Sequence, residues 1–331
     1  MRTFSLFPFL LNGCIDIGFE AKDTSGNGHN LEGDSDTDTD SDSDTDADSD
    51  TDSDTDEVTA EGVVVSPDSL SLLTTRSPGA LTATAEWSDG SETDVTAECA
   101  WTVDNVDVAF VTPDGAVHGI GPGEAVATCT WNAFDDTSDL SVGPVGPARA
   151  GDVVINELLA DPAVGADPNN DGTSDATEDE FVELVNAAGY TVDLEGVTLW
   201  DTQQSIARHT FGANSTLKPG EAVVIFGGGE PNLKEDRCNA FPAYNEDNSL
   251  KYGLALNNDG DTLTVRDVDG DDIGSVTYDG SIEDASVVLN PEIDGASYTH
   301  HAYVTGSMGP SSPCTLATSE AFPTVSDRLA P

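Results

Sequence analysis

Short runs of β-branched and apolar residues, each closed by Gly, Pro, Asp or Asn, recur along most of the chain. Val63-Val64-Val65-Ser66-Pro67 opens the series, followed by Leu81-Thr82-Ala83-Thr84-Ala85 and Trp87-Ser88-Asp89-Gly90-Ser91. Asp94-Val95-Thr96, Trp101, Val108-Ala109-Phe110-Val111 and Asp114-Gly115-Ala116-Val117 continue it to the strand around Cys129. Strand-like runs at this spacing, broken by turn residues, predict a β-sandwich over residues 59–143. A second series starts at Val153-Val154-Ile155-Asn156-Glu157-Leu158-Leu159 and runs through Phe181-Val182-Glu183-Leu184-Val185. Leu194 to Leu199, Val223-Val224-Ile225 and Leu263-Thr264-Val265 extend it. The expectation is an all-β protein with two sandwiches in tandem, the second over residues 151–323.

The N-terminus has another pattern. Met1-Arg2 precedes an apolar run from Phe4 to Leu11, then Asn12-Gly13-Cys14. One basic residue, a short apolar segment and a small residue before the cut is the layout of an export signal. A cysteine directly after it resembles the lipobox of bacterial lipoproteins. That resemblance implies that residues 1–13 are removed and that Cys14 receives lipid. From Asp34 to Asp56 every second residue is Asp, spaced by Ser, Thr or one Ala. Such a segment has no apolar surface to offset the entropy of ordering, and its charges repel. Residues 14–58 therefore read as a lipidated start and a disordered acidic stalk, reaching at most about 80 Å from Asp34 to Asp56. Low-affinity calcium collection by the stalk is the other reading.

Charge narrows the partners. The 331 residues carry 63 Asp or Glu against 11 Lys or Arg, a formal charge of −52. Nucleic acid is excluded, because binding it requires neutralised phosphates. Anionic membrane surfaces are excluded as electrostatic partners, which leaves the lipid anchor as the only membrane contact. No apolar stretch approaches the roughly 20 residues that span a bilayer. Five cysteines are an odd number for an exported chain. With Cys14 lipidated, Cys99 with Cys129 and Cys238 with Cys314 pair within their own segments. Two such disulfides fit an oxidising compartment.

The first sandwich segment resembles the bacterial Ig-like domain, group 2. The shared pieces are "WSDGS…DVT", the central Trp101, "VAFV…DGAVHGIGPGEA" and "VATCTW". Cys99 and Trp101 are two apart and face one side, with Cys129 on the strand such folds place beside them. The tryptophans read as core. Residues 144–150 read as a linker. The second segment resembles the lamin tail domain, an Ig-like β-sandwich, in "INELLADP", "DEFVELVN", "VDLEGVTL", "LKPGEAVVI" and "LALNNDGDTLTVRDVDG". That family implies a binding or scaffolding module, often accompanying hydrolases in bacteria. Residues 324–331 are a tail.

One loop carries candidate chemistry. In Asp167–Glu178, the oxygen-bearing Asp167, Asn169, Asp171, Asp175 and Glu178 stand at positions 1, 3, 5, 9 and 12 of an EF-hand spacing. Thr173 supplies position 7 and Gly172 the sharp turn at 6. Calcium takes six to eight oxygens, and this spacing lets a loop wrap one ion. From Gly151 to Asp201 there are 13 acidic residues and no Lys or Arg, a density that a divalent cation relieves. The expected cofactor is Ca²⁺; the competing reading is a solvated acidic loop. Asp267 to Asp272 reads as a hairpin turn instead.

Nothing in the sequence forms a catalytic set. Gly227-Gly228-Gly229 has no following Lys-Ser/Thr, so it supports no phosphate loop. His118 and His209 stand alone, and His300 and His301 point opposite ways on a strand. The leading expectation is a non-catalytic, lipid-anchored envelope protein used for adhesion or scaffolding of a protein or glycan ligand. The alternative is an accessory subunit that positions a separate secreted hydrolase; an enzyme in its own right ranks third. Ile15 after Cys14 goes, by enterobacterial sorting, with the outer membrane, placing the domains at the surface or in the periplasm.

Overall fold

The computed structural model describes residues 57–202, 206–244, 253–280 and 284–329. The expected signal peptide, Cys14 and the Asp34–Asp56 stalk lie outside the described residues.

Val63 and Val65 are buried while Val64 is 40% exposed, the alternation of a strand with one face on a core. Their strand, Ala60–Ser66, pairs antiparallel with Thr82–Trp87, which carries Glu92–Asp94 on its other edge. Against this sheet packs a second, in the order Ser69–Leu72, Phe134–Val142, Gly123–Trp131, Ala100–Val103. A third small sheet of Gly79–Ala80, Ala116–Gly119 and Ala109–Val111 completes the first sandwich. Its core includes Val65, Leu81, Ala83, Ala85, Ala127 and Leu140. The Cys99–Cys129 disulfide, part of that core, ties the start of Ala100–Val103 to its neighbour Gly123–Trp131 in the same sheet, with Cα atoms 5.3 Å apart. Trp87 meets Trp131 edge to face at 5.9 Å, and Trp131 Nε1 donates to Glu98.

The second sandwich has a core of its own. A six-stranded sheet runs Cys238–Pro242, Ala222–Phe226, Phe181–Asn186, Val153–Leu159, Val287–Asn290, Ser297–His300. A four-stranded sheet of His209–Thr210, Thr198–Asp201, Gly260–Arg266 and Asp272–Asp279 faces it. Leu158, Val182, Leu184 and Ile225 point between them at Leu199, Leu263 and Val265. The other face of the large sheet is buried as well: Leu159, Phe181, Val224 and Phe226 pack with Cys314. Phe322 covers Val185 and Ala222 nearby. Double coverage explains why Phe181–Asn186 is buried at every position instead of alternating. The Cys238–Cys314 disulfide ties the covering segment to the edge strand.

Residues 144–150, expected as a linker, contain the strand Gly146–Pro147, which pairs parallel with Val192–Asp193 of the second sandwich. Both modules lie within one compact unit, residues 56–331. Thr75 Oγ1 donates to the Thr191 carbonyl at 2.8 Å and accepts from Gly146 N. Arg76 pairs with Asp152 and lies over the Tyr190 ring, whose hydroxyl donates to Asp152 at 2.6 Å. His118 Nδ1 meets the Gly189 carbonyl at 2.9 Å, and Lys218 pairs with Asp107 at 2.8 Å. In the tail, the short helix Val325–Leu329 is fixed by Arg328, which pairs with Asp294.

Candidate cation-binding loop

The loop 167–179 leaves the strand Val153–Leu159 and returns into Phe181–Asn186 at one end of the second sandwich. Its turns are built by its own carboxylates. Asp167 accepts from Asp171 N at 3.1 Å and Gly172 N at 3.0 Å, and Asn169 Oδ1 also accepts from Asp171 N. Asn170 and Gly172 take positive φ, 56° and 92°, the left-handed turns that Asn and Gly tolerate best. Asp167, Asn169 and Asp171 are thus brought onto one turn.

The remaining candidates are arranged differently. Asp175 Oδ1 turns along the chain to accept from Thr177 N and Glu178 N, which lowers its pKa. Glu178 is exposed. Asp179, one residue later, points inward and accepts from Asp175 N at 2.8 Å. Burial raises the pKa of Asp179, with Asp167 and Asp171 adding their charge. Desolvation raises Glu178 too, helped by Asp175, Asp171 and Asp179. Thr173 is exposed, its N–H held by Asp171 Oδ1 at 2.8 Å. Asn169 is fully buried and its Nδ2 has no partner.

The three glycines 227–229 explain how the loop lies down. Gly227 N donates to the Glu180 carbonyl and Gly228 N to that of Glu178. A Cβ at Gly227 would stand 1.8 Å from the Thr177 carbonyl oxygen, and one at Gly229 2.4 Å from Asp171 Oδ2. The triplet, which the sequence reading could only exclude as a phosphate loop, is the bed for the acidic loop. Only a close-approach argument could have found it.

The donors suit a hard cation in kind: the carboxylates and Asn169 Oδ1 offer oxygen alone. Among the described residues, however, no three His, Cys, Asp or Glu side chains converge closely enough to hold a metal ion. Asp167, Asp171, Asp175 and Asp179 are spent on backbone N–H groups.

The other singled-out residues have structural partners. Asp267 Oδ1 closes a hairpin turn by accepting from Asp269 N and Asp271 N, and Arg149 pairs with Asp267 and Asp269. His209 is buried against Phe211 and Phe241, its pKa pushed down to about 3 by desolvation, and Nδ1 accepts from Tyr244 N. His301 touches Ser312 at 3.0 Å, but the neighbouring carboxylate, Glu157, bonds the serine and not the imidazole. A nucleophile pair needs the carboxylate on the other ring nitrogen.

Residues 147–280 match the family model of the Lamin Tail Domain, about two fifths of the chain. The second sandwich is therefore a lamin tail module, with residues 281–323 lying beyond the match. Ice-binding protein 1 of Shewanella frigidimarina is 25% identical over 164 residues, 49% of this chain but 17% of that protein. The chain spans less than a fifth of that relative's length. Domains 5–6 of the S-layer protein SbsC overlay with a TM-score of 0.24 and 14% identity, covering 67% of this chain and 97% of that one. A DUF4876 family protein from Bacteroides thetaiotaomicron gives a TM-score of 0.24 and 13% identity, covering 57% and 54%.

Proposed function

We propose that the protein is a non-catalytic envelope lipoprotein that displays two joined Ig-like modules for adhesion or scaffolding of a protein or glycan ligand. The observation that carries this reading is the joint. Thr75, Arg76 and His118 of the first sandwich lock onto Thr191, Asp152, Tyr190 and Gly189 of the second. With a disulfide inside each module, the pair is a stiff element, suited to presenting a surface rather than closing on a substrate. The acidic stalk and Cys14 supply reach and anchorage. Membrane fractionation tests the anchor: Cys14→Ser should move the protein to the soluble or medium fraction with both disulfides formed. A wild type that is soluble and keeps residues 1–13 overturns it.

Calcium stiffening of the lamin tail module belongs to the same proposal. Asp167, Asn169 and Asp171 would hold the ion, joined by Thr173, Asp175 and Glu178 after their side chains turn. Calcium would supply charge neutralisation and a fixed loop. An ion that binds only the folded state at ten times its Kd adds about 1.4 kcal/mol. That corresponds to a rise of about 3–5 °C in Tm. The full-length protein should show this rise between chelator and 10 mM calcium, a concentration on the order of ten times an extracellular-module Kd. Asp171→Ala should abolish it and Asp269→Ala should leave it intact. Melting indifferent to calcium, with no heat of binding, sinks this part alone.

A further inference from the structure

A second acidic cluster lies on the outer face of the six-stranded sheet. The strand Val153–Leu159 slips register between Ile155 and Glu157, and past this bulge Glu157 stands directly opposite Glu183. Both are fully buried. Glu292, from the turn after Val287–Asn290, completes the group. Asn156 Nδ2 donates to Glu183 at 2.9 Å and Glu292 at 3.2 Å, and its Oδ1 accepts from Ile293 N. Over them runs the segment 310–317. Each carboxyl holds one of its N–H groups: Ser312 N to Glu157 at 2.9 Å, Cys314 N to Glu183 at 2.8 Å, Ala317 N to Glu292 at 2.9 Å.

No ion pair among the described residues includes any of the three. Like charges directly opposite on paired strands, without a cation and out of water, are strongly unfavourable. One carboxyl must be neutral, and the donors around them show which. The oxygens of Glu183 and Glu292 face amide N–H groups, which cannot accept a proton. Glu157 Oε1 is filled by Ser312 N and the Ser286 hydroxyl. Glu157 Oε2 faces only the Ser312 hydroxyl, at 2.7 Å. A hydroxyl can accept there and pass its own hydrogen on. His301 Nε2 waits 3.0 Å beyond.

We propose that Glu157 is carried as a neutral carboxylic acid donating from Oε2 to Ser312, and that this proton is the catch holding residues 310–317 to the sheet. Rising pH removes it and frees the segment, which the Cys238–Cys314 disulfide keeps tethered. The titratable groups facing Glu157 are Glu183 on the next strand, Glu292 in the turn, and His301 through Ser312. Asp294, beyond Glu292, is paired with Arg328. Burial pushes Glu157 up to about 7. Burial and the Glu157 charge raise Glu183 well above the ordinary range, and burial raises Glu292. It is therefore the hydrogen-bond partners, and not these shifts, that place the proton on Glu157. Burial lowers His301, leaving the ring a neutral acceptor. The folded form thus binds the proton more tightly than the unfolded one. Its stabilising effect is full below the ordinary glutamate range and is lost as pH rises through about 7.

Amide exchange in the full-length protein, read as protection factors over 310–317, tests this between pH 5.5 and 8.5. Opening coupled to loss of one proton grows tenfold per pH unit from the ordinary glutamate range up to about 7 and then levels off, so from pH 5.5 protection should fall about 30-fold. Glu157→Gln copies the neutral acid, its Nε2 donating to Ser312, and should keep the pH 5.5 protection at pH 8.5. Glu183→Gln sets an NH₂ against an N–H donor and should lose protection at both. Wild-type protection that is flat with pH, or Glu157→Gln unprotected at pH 5.5, overturns the proposal. If Glu157→Gln does not fold, the infrared band of a protonated carboxyl decides with Glu157 in place. Read in a Glu180→Gln background, because burial pushes Glu180 up to about 8, it should be present at pH 5.5 and gone at pH 8.5, and its absence at pH 5.5 refutes the catch.

Discussion

Replacing Cys238 and Cys314 together by alanine should destabilise the lamin tail module by about 4–5 kcal/mol. The two cysteines are 76 residues apart, and in the chain-entropy account a cross-link restrains the unfolded chain more as the loop it closes lengthens. The Cys99–Cys129 pair, 30 apart, should cost about 3.5 kcal/mol on the same account. Packing reinforces the ranking, because Cys314 is buried among Leu159, Phe181, Val224 and Phe226, where a lost sulfur leaves space. Denaturant unfolding resolves the two modules by fluorescence. Trp87, Trp101 and Trp131 report on the first sandwich and Trp200 on the second. A smaller loss for the longer loop than for the shorter, or a loss below about 1 kcal/mol, contradicts loop entropy as the source.

Many strands were legible from an alternation of buried and exposed positions, as at Val63, Val64 and Val65, and the doubly covered Phe181–Asn186 and Ala222–Phe226 from their apolar, β-branched runs. The disulfides were legible from arithmetic: once one cysteine is set aside, each module holds two. Glu157 and Glu183 were not legible. In "INELLADP" and "DEFVELVN" they occupy the face that alternation assigns to water. What buries them is residues 310–317, a coil without periodicity whose docking is written only in its N–H groups. The acidic loop was half legible. Spacing picked out Asp167, Asn169 and Asp171, which share a turn, but placed the last inward carboxylate at Glu178. The chain turns Asp179 inward instead, because its carboxylate caps Asp175 N. Gly146 and Pro147 read as linker because both residues punctuate chains, yet a parallel pairing needs only backbone groups.

Arg208→Met should cost about 3–5 kcal/mol, through the charge it strands rather than the contact it removes. Arg208 Nη2 meets Asp201 at 2.7 Å, with side chains 5% and 1% exposed. Around the pair stand Glu180, pushed up to about 8 by burial, and Asp261, whose carboxyl reaches Asp201 as well as Thr202. Arg208 is the one cation in this group, and its field already restrains the rise at Glu180. Removing it leaves the buried Asp201 carboxylate to face Asp261 without a cation. Asp201→Asn keeps the shape and lessens that repulsion. In the Arg208→Met background it should therefore recover part of the loss, although alone it destabilises. The double-mutant cycle should give a coupling well above the roughly 0.5 kcal/mol expected of independent sites. Additive costs would show that Arg208 acts here through packing of its aliphatic stem, and that the carboxylates are neutralised by proton sharing among themselves.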